Sequence, residues 1–430
     1  MSLLIKHAVI VNADKVHERP QDILVEKGVI TKIGASISAD GRGVKPHETI
    51  DAKGKLVLPG FIDLHVHLRE PGREDKETIE TGSRAAAKGG ITTLMCMPNT
   101  TPVIDNAMIV EGIIKEAKRV GLVNVIPVGC ISRGQKGEEL TDMFELKQAG
   151  CLALSDDGKG VMNPQLMRMA MDYARMAGLL LIEHCQDLLL TSGGVMNEGY
   201  NSTFLGIKGD PGVAETVMVA RDIELANYLK TRIHLAHMSL KRSVELIRFA
   251  KSQGIQVTAE ACPHHFTLTD DAVKTFDPNT KVNPPLRTDE DVEAIKQGLK
   301  DGTIDCIVTD HAPHTYEDKE VGFDHAPFGM IGLETSLGLT MTELVNKKIL
   351  TLPQMVERMS AAPSRVIGLE NKGKIAEGKD ADITIIDADK EWIFTKEEIV
   401  SKSKNSPFIG RKLKGRVEAT ICNGKIVYQA

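Results

Sequence analysis

Two histidines separated by one residue follow an apolar segment near residue 60. His65 and His67 come directly after the apolar run 57–62. Side chains at positions i and i+2 of a β-strand point to the same face. The spacing therefore predicts that both imidazoles project together from the end of a buried strand, which suits a metal centre. Arg69 continues the same face and could hold an anionic substrate beside the metal.

Other apolar segments also end in residue types that bind metals. A lone histidine on a strand is more often a hydrogen-bonded core residue than a ligand, and His234 is interpreted in that way. Several strands that all end in ionisable groups need another explanation, because such groups are costly to bury unless they are paired or metal-bound. The candidates at these strand ends are Asp157, His184, His237 and Asp310, with His311 and His314 after the last; His7, His17 and His47 are expected at the surface.

Nitrogen and oxygen ligands without a thiolate suit two borderline divalent cations that share a bridging carboxylate, and zinc fits best. A hydroxide that bridges the two ions would be available at neutral pH. Asp310 would take the proton of this hydroxide and deliver it to a leaving nitrogen. The candidate ligands therefore predict a hydrolase for an amide-like bond, with this ligand set: His65, His67, Asp157, His184, His237 and Asp310.

The elements that must position these residues alternate between apolar strands and helical patterns over residues 57–365. Helices are predicted over 74–88 and 213–229 from the spacing of their apolar residues. Eight strand–helix repeats predict an α/β fold, a (β/α)₈ TIM-type barrel, whose catalytic groups lie at the C-terminal ends of the strands. The predicted strands end near His67, Asn99, Gly129, Asp157, Cys185, Ser239, Cys262 and Asp310.

Both ends of the chain are rich in short β-branched runs instead. Residues 1–56 and 366–430 are predicted to meet in one small β-sandwich domain, and Asn423-Gly424 signals a hairpin near the C-terminus. The expected division is therefore a β-sandwich part at 1–56, the barrel at 57–365 and the second sandwich part at 366–430.

Composition excludes several classes of partner. The chain has 430 residues with a formal net charge of −6 and a pI near 6.1, and it lacks a basic run. This balance argues against nucleic acid or a membrane surface as a partner. Seven scattered cysteines without a CxxC pair predict reduced thiols and a cytoplasmic location, and no segment resembles a secretory signal or a membrane span.

Four segments together resemble the class I dihydroorotases of the bacterial type, within the amidohydrolase superfamily. The segments are 63–72, 97–100, 308–314 and 326–335. The HxH pattern alone identifies only the superfamily, whereas the combination of all four segments is much more specific. The resemblance covers nearly the whole chain.

This resemblance implies the reversible ring closure of N-carbamoyl-L-aspartate to L-dihydroorotate in de novo pyrimidine (UMP) biosynthesis. It implies two Zn²⁺ ions per subunit: His65, His67 and Asp310 would bind one, His184 and His237 the other, and Asp157 would bridge them. It further implies a homodimer, with association with aspartate transcarbamoylase left open. The implied substrate contacts are His67, Arg69, Asn99, Asn283, His314, Phe328 and Gly329.

Several alternatives stay open at this point. Many relatives bridge their metals with a carboxylated lysine; Lys159 lies near Asp157, but a carboxylate already at the strand end needs no added CO₂. Allantoinase and dihydropyrimidinase are the rival enzymes, and a non-catalytic scaffold or partner of a transcarbamoylase is the rival of another class. The segment 311–329 is a candidate lid over the site. His264 and His265 are interpreted as residues that support the ligands or pack behind them.

Overall fold

The computed structural model describes residues 2–37 and 48–430, so the expectation for His47 lies outside the described residues. The N-terminal part consists of short strands. β1 pairs with β2 and β4 through its first half and with β5 through Val9 and Ile10, and its register shifts beside His7, whose φ is 55°. The strands are β1 (Ser2–Ile10), β2 (Gln21–Glu26), β3 (Val29–Gly34), β4 (Glu48–Asp51) and β5 (Leu56–Pro59).

Eight parallel strands then form a closed barrel, as the repeat pattern predicts. Hydrogen-bonded pairing runs β6–β7–β8 and β9–β10–β13–β14–β15. Parallel bridges join Gly129 to Leu154 and Val66 to His311, and these bridges close the ring. The barrel strands are β6 (Phe61–Val66), β7 (Ile91–Cys96), β8 (Asn124–Pro127), β9 (Ala153–Leu154), β10 (Leu180–Glu183), β13 (Ile233–Leu235), β14 (Val257–Ala261) and β15 (Cys306–Ile307); β11 (Met196–Asn197) and β12 (Gly209–Asp210) form a separate pair.

Helices lie between the strands and pack against their outer faces. α7 has the bounds predicted from its apolar spacing, whereas the helix expected from residue 74 begins at Ile79 because Thr78 caps it by accepting a hydrogen bond from the Thr81 N–H. The helices are α1 (Ile79–Lys88), α2 (Ala107–Val120), α3 (Met143–Ala149), α4 (Pro164–Ala177), α5 (Leu188–Thr191), α6 (Tyr200–Leu205), α7 (Val213–Leu229), α8 (Lys241–Ser252), α9 (Asp289–Asp301), α10 (Tyr316–Lys319), α11 (Ser336–Thr340), α12 (Leu352–Val356) and α13 (Ala362–Val366).

The C-terminal strands return to the N-terminal ones, as expected. β16 (Ile383–Ile393) pairs antiparallel with β5, and β17 (Lys412–Cys422) and β18 (Lys425–Gln429) extend the same sheet. Asn423 and Gly424 have φ of 50° and 75°, the left-handed conformations that a two-residue hairpin turn requires. Because β5 belongs to this terminal sheet, the first strand of the barrel begins at Phe61.

Apolar contacts tie these parts together. One buried cluster packs against the terminal sheet of β1–β5 and β16–β18 and includes Ile5, Val57, Ile385 and Ile421. A second fills the barrel interior and includes residues of α13 beside those of the strands. Among the described residues, no helix is both long and apolar enough to cross a bilayer.

Candidate active site

The carboxylate of Asp157 lies at the centre of four imidazoles. Its Oδ1 is 3.2 Å from His65 Nε2, 3.4 Å from His184 Nδ1 and 3.6 Å from His237 Nε2. Its Oδ2 is 3.5 Å from His67 Nε2. His65 lies in β6, and the others follow β6, β9, β10 and β13, so closure of the barrel brings together side chains that lie far apart in the sequence.

Asp310 completes the group from the strand that closes the barrel. Its Oδ1 lies 3.1 Å from His67 Nε2 and 3.6 Å from His65 Nε2. Asp310 has a φ of 47° and His237 a φ of 34°, a left-handed region that costs a non-glycine residue about 1 kcal/mol or more. The backbone at His237, after β13, and at Asp310, after β15, is therefore strained, and the surrounding structure must hold it in place.

Hydrogen bonds on the outer side of the rings fix which nitrogens face the centre. His65 Nδ1 donates to Glu260 Oε1 at 2.7 Å, and His67 Nδ1 donates to Asn99 Oδ1 at 2.8 Å. Each Nδ1 therefore carries a hydrogen, and each Nε2 faces the two carboxylates. His184 is arranged the other way round: its Nε2 lies 3.2 Å from an oxygen of Gln186, and its Nδ1 faces the centre.

This arrangement fits a bound cation. Lone pairs that point at carboxylates repel them unless a proton or a metal ion lies between, and His65 Nε2 has no hydrogen-bond partner within the described part of the chain. His237 Nε2 and His184 Nδ1 also approach each other to 2.9 Å. Four imidazoles and two carboxylates, with no sulfur, match the donor preference of zinc and similar divalent ions.

Electrostatics in the absence of a cation agree with this reading. Burial opposes the charge of Asp157, but the neighbouring imidazoles, led by His65, hold the pKa of its carboxyl well below the usual value. Burial likewise disfavours imidazolium at His65, yet Asp157 and Glu260 raise its pKa well above the usual value. Burial is the largest cause at His237 and lowers its pKa. The site therefore holds its carboxylates ionised and attracts positive charge.

A cationic side chain lies at the edge of this group. Arg69 has a φ of 62°, and its guanidinium donates through Nε to the carbonyl of Pro313 at 3.2 Å. Burial lowers its pKa to about 10, so the guanidinium stays charged at neutral pH. Its Nη2 lies 3.4 Å from His314 Nε2, which places the two side chains side by side.

His314 is held in one tautomer. The Lys76 ammonium, which can only donate, lies 3.0 Å from His314 Nδ1, so this nitrogen accepts. His314 Nε2 then carries the hydrogen and donates to the Phe328 carbonyl at 2.8 Å. Burial, with Arg69 and Lys76, holds the pKa of His314 far below the usual value, so the ring is a neutral donor. Gly329 lies beside it with a φ of 125°, where a Cβ would clash with Ala312.

Asn283 reaches the opposite side of the group. Its amide and the amide of Gln186 exchange hydrogen bonds of 2.9 Å in both directions. Its Nδ2 also lies 3.3 Å from His184 Nε2. Asn99 is near as well, because its Nδ2 approaches Asp157 Oδ2 to 3.4 Å. Asn283 and Asn99, both predicted from the sequence as substrate contacts, thus lie beside the ligand group around Asp157.

Other candidates have different surroundings. Lys159 donates to the Gln135 carbonyl at 3.3 Å, and His311 lies between Glu77 Oε2 and the Gly332 N–H. His234 is a hydrogen-bonded core residue, as interpreted from the sequence: Nδ1 lies 2.8 Å from Thr258 Oγ1 and Nε2 lies 2.9 Å from Glu260 Oε2.

Sequence reasoning missed three residues that support the site. Glu260 holds both His65 and His234, Gln186 holds His184 and Asn283, and Lys76 fixes His314. Glu260 carried a usable signal, because a carboxylate inside the apolar run 257–262 needs a partner. Gln186 and Lys76 lie in ordinary polar stretches and offered none.

The barrel, the strand-end imidazoles and the central carboxylate define the class of protein as a hydrolase of the amidohydrolase superfamily. Two family models match: the dihydro-orotase-like family over residues 54–243 and the amidohydrolase family over residues 291–428. A dihydroorotase of Pelotomaculum thermopropionicum is 54% identical over 100% of this chain and 99% of its own, and one of Acetivibrio thermocellus is 53% identical over 99% and 98%. The chain belongs to the dihydroorotase family.

Solved structures agree on the fold. The L-hydantoinase (dihydropyrimidinase) of Arthrobacter aurescens superposes with a TM-score of 0.88 at 28% identity, over 99% of this chain and 96% of that one. The dihydropyrimidinase of Brevibacillus agri superposes with a TM-score of 0.84 at 23% identity, over 100% and 95%. The terminal sheet is therefore part of an architecture that these enzymes share with this chain.

Proposed function

We propose that this protein catalyses the reversible ring closure of N-carbamoyl-L-aspartate to L-dihydroorotate and water, a step of de novo pyrimidine (UMP) biosynthesis. Membership of the dihydroorotase family supports the reaction class. The choice of substrate rests on Arg69, a charged guanidinium that lies beside His314 at the edge of the ligand group. A guanidinium can bind a carboxylate bidentately, and this substrate keeps a free carboxylate in both its open and closed forms.

The proposal includes two zinc ions. His65, His67 and Asp310 would hold one, His184 and His237 the other, and Asp157 would bridge them, which agrees with the central position of its carboxylate. When bound, the ions supply Lewis-acid polarisation of the carbonyl under attack and activate water at neutral pH. Lys159 has no part in this assignment, because its ammonium is engaged by Gln135.

Asp310 is the proposed general acid and base. Its pKa lies below the usual value because the surrounding imidazoles outweigh its burial, so it is ionised and able to accept a proton. In ring opening it takes the proton of the attacking water and transfers it to the ring nitrogen as the carbon–nitrogen bond breaks. In ring closure it takes a proton from the ureido nitrogen and gives it to the departing oxygen, which leaves as water with a second proton from solvent.

The remaining residues position the substrate. Arg69, Asn99 and His314 are proposed to hold its carboxylate, with His67 facing the reacting end. His314 suits this role because its Nε2–H is a neutral donor whose present acceptor is the Phe328 carbonyl. The other proposed contacts, made by the Asn283 amide and the backbone of Phe328 and Gly329, serve the amide and carbonyl groups of the ring.

Segment 311–329 is proposed to act as a lid over the site. It carries His314 and the Phe328–Gly329 backbone, and it contains α10. Lys319 pins it by donating to the carbonyls of Pro278 at 2.9 Å and Pro327 at 2.7 Å. The segment therefore carries both His314, which is proposed to contact the substrate's carboxylate, and the Phe328–Gly329 backbone, which is proposed to contact its ring.

Substrate choice is tested with purified, zinc-replete protein and L-dihydroorotate, allantoin and dihydrouracil in parallel. We expect ring opening of L-dihydroorotate to exceed that of the other two clearly. Preference for dihydrouracil would instead support the dihydropyrimidinase alternative that the structural likeness to Arthrobacter aurescens L-hydantoinase raises. No turnover of any of the three would support a scaffold role.

The proposal extends to organisation. We propose a cytoplasmic homodimer that can associate with an aspartate transcarbamoylase, and a division into a sandwich part at 1–56, a barrel at 57–365 and a second sandwich part at 366–430. Light scattering of the purified chain, alone and with the transcarbamoylase of its source organism, tests the assembly. A monomeric mass for the chain alone would refute the homodimer. An unchanged mass of the transcarbamoylase after addition of the chain would refute the association.

A further inference from the structure

A second group of buried metal-type side chains lies where β14 ends. Cys262 directly follows the strand, and His264 and His265 lie in the single 3₁₀ turn Pro263–Phe266. The sulfur of Cys262 and one nitrogen of each imidazole all lie within 4.8 Å of one another, and all three residues are buried. None of them belongs to the ligand set around Asp157.

Each imidazole of this group has a buried nitrogen without a hydrogen-bond partner among the described residues. His265 Nε2 lies 3.0 Å from the carbonyl oxygen of Pro284, which can only accept, so Nε2 carries the hydrogen and Nδ1 does not. Within residues 2–37 and 48–430, neither His265 Nδ1 nor His264 Nε2 has a hydrogen-bond partner. An unsatisfied buried polar atom costs about 1–3 kcal/mol. Protonation does not relieve this cost, because burial lowers the pKa of His264 to about 4 and that of His265 well below the usual value.

We propose that Cys262, His264 and His265 form a further metal site, for a thiophilic cation of the zinc and copper(I) class. Zinc and copper(I) bind well to thiolate and imidazole donors, which this group provides. Calcium and magnesium take oxygen donors instead. On binding, the Cys262 sulfur loses its proton to solvent as the metal–sulfur bond forms, and each imidazole contributes a lone pair. No group is oxidised or reduced.

The place of this group in the fold gives it a structural role. His265 Nε2 donates to the Pro284 carbonyl, which leaves Nδ1 as the nitrogen available to a cation, and Pro284 follows Asn283. Asn283 exchanges hydrogen bonds with Gln186 beside His184. A cation here would therefore fix the end of β14 to the segment that carries Asn283, through three protein ligands.

The test uses Cd²⁺, whose bond to a thiolate gives an ultraviolet charge-transfer band. Protein is expressed in cadmium-supplemented medium, so that burial does not limit entry, and its absorption and cadmium content are measured. The ligand group around Asp157 has no sulfur and cannot produce the band. We expect one thiolate-bound Cd²⁺ per chain in the wild type, no band in Cys262→Ser, and an unchanged band in Cys306→Ser. Cys306 is the matched control because it is buried in the same apolar cluster and, within the described residues, belongs to no ligand group.

A second variant covers the case in which Cys262→Ser does not fold. His265→Gln keeps the thiol and removes one ligand nitrogen, and we expect it to weaken competition for Cd²⁺ against a chelator at least tenfold. A folded wild type without the band, a band that persists in Cys262→Ser, or unchanged competition in His265→Gln would each overturn the proposal. None of these measurements uses turnover, so the outcome is independent of the proposed function.

Discussion

The carboxylate of Glu260 accepts hydrogen bonds from two histidines. Its replacement by glutamine tests how far metal affinity depends on these hydrogen bonds. Its Oε1 accepts from His65 Nδ1 at 2.7 Å, and its Oε2 accepts from His234 Nε2 at 2.9 Å. An amide of the same shape offers one oxygen and one NH₂ group. Both ring nitrogens donate to the carboxylate, so Glu260→Gln keeps one of these hydrogen bonds directly and keeps the other only through a change of tautomer at His234, whose Nδ1–H would then donate to Thr258 Oγ1.

Two independent estimates give the size of the effect. A hydrogen bond to a charged group contributes about 1.5–3 kcal/mol. Removing a group that orients a ligating histidine lowers metal affinity about 10–100-fold, which is about 1.4–2.8 kcal/mol. The loss of a negative charge beside the proposed cations acts in the same direction. We therefore expect the Kd for zinc to rise about 10–100-fold, with kcat at saturating zinc changed much less.

The assay is competition for zinc against a chromophoric chelator, starting from metal-free protein. Glu215→Gln is the matched control, since Glu215 is also a buried carboxylate but accepts from Ser239 and Ser243 and, within the described residues, forms no hydrogen bond or ion pair with a proposed ligand. It should lower stability and leave zinc affinity unchanged. Equal zinc affinities in Glu260→Gln and the wild type, or equal losses in both variants, would refute the reasoning.

Three further predictions test the proposed mechanism. Asp310→Asn should lower kcat about 10²–10⁴-fold while the circular dichroism spectrum stays unchanged, and substantial residual turnover would remove Asp310 as the acid and base. Arg69→Gln should raise KM for N-carbamoyl-L-aspartate about 10–100-fold, with a smaller change in kcat; an unchanged KM would place the carboxylate elsewhere. Chelation should abolish turnover and lower Tm, and added zinc should restore both; full activity in metal-free protein would exclude the metal assignment.

Periodicity was the reliable signal for the architecture. Barrel strands are buried on both faces and therefore appear as continuous apolar runs, and a helix such as α7 repeats its apolar residues every turn. The start of α1 was missed because apolar spacing does not show which residue caps a helix; Thr78 does so here. β5 follows the same apolar pattern as β6, so its membership of the terminal sheet became visible only through its pairing with β16.

Residues placed at strand ends were predictable for a physical reason. A parallel barrel gathers the C-terminal ends of its strands at one mouth, so residue type and position in the strand are enough to bring His65 and His184 together without any knowledge of distances. What the sequence does not contain is which way a ring turns. His65 presents Nε2 to Asp157 because Glu260, 195 residues further along the chain, takes its Nδ1–H, whereas His184 presents Nδ1.

The same limit explains the group at Cys262. From the sequence, His264 and His265 are two adjacent rings after a strand, and alternation along a strand would send them to opposite faces. A 3₁₀ turn breaks that alternation and brings one nitrogen of each ring to the Cys262 sulfur. A ligand group built within one turn thus depends on local backbone geometry, whereas the group around Asp157 depends on barrel closure. Ligand types at strand ends therefore predict a site formed by barrel closure, such as the one around Asp157, but not a site formed within one turn.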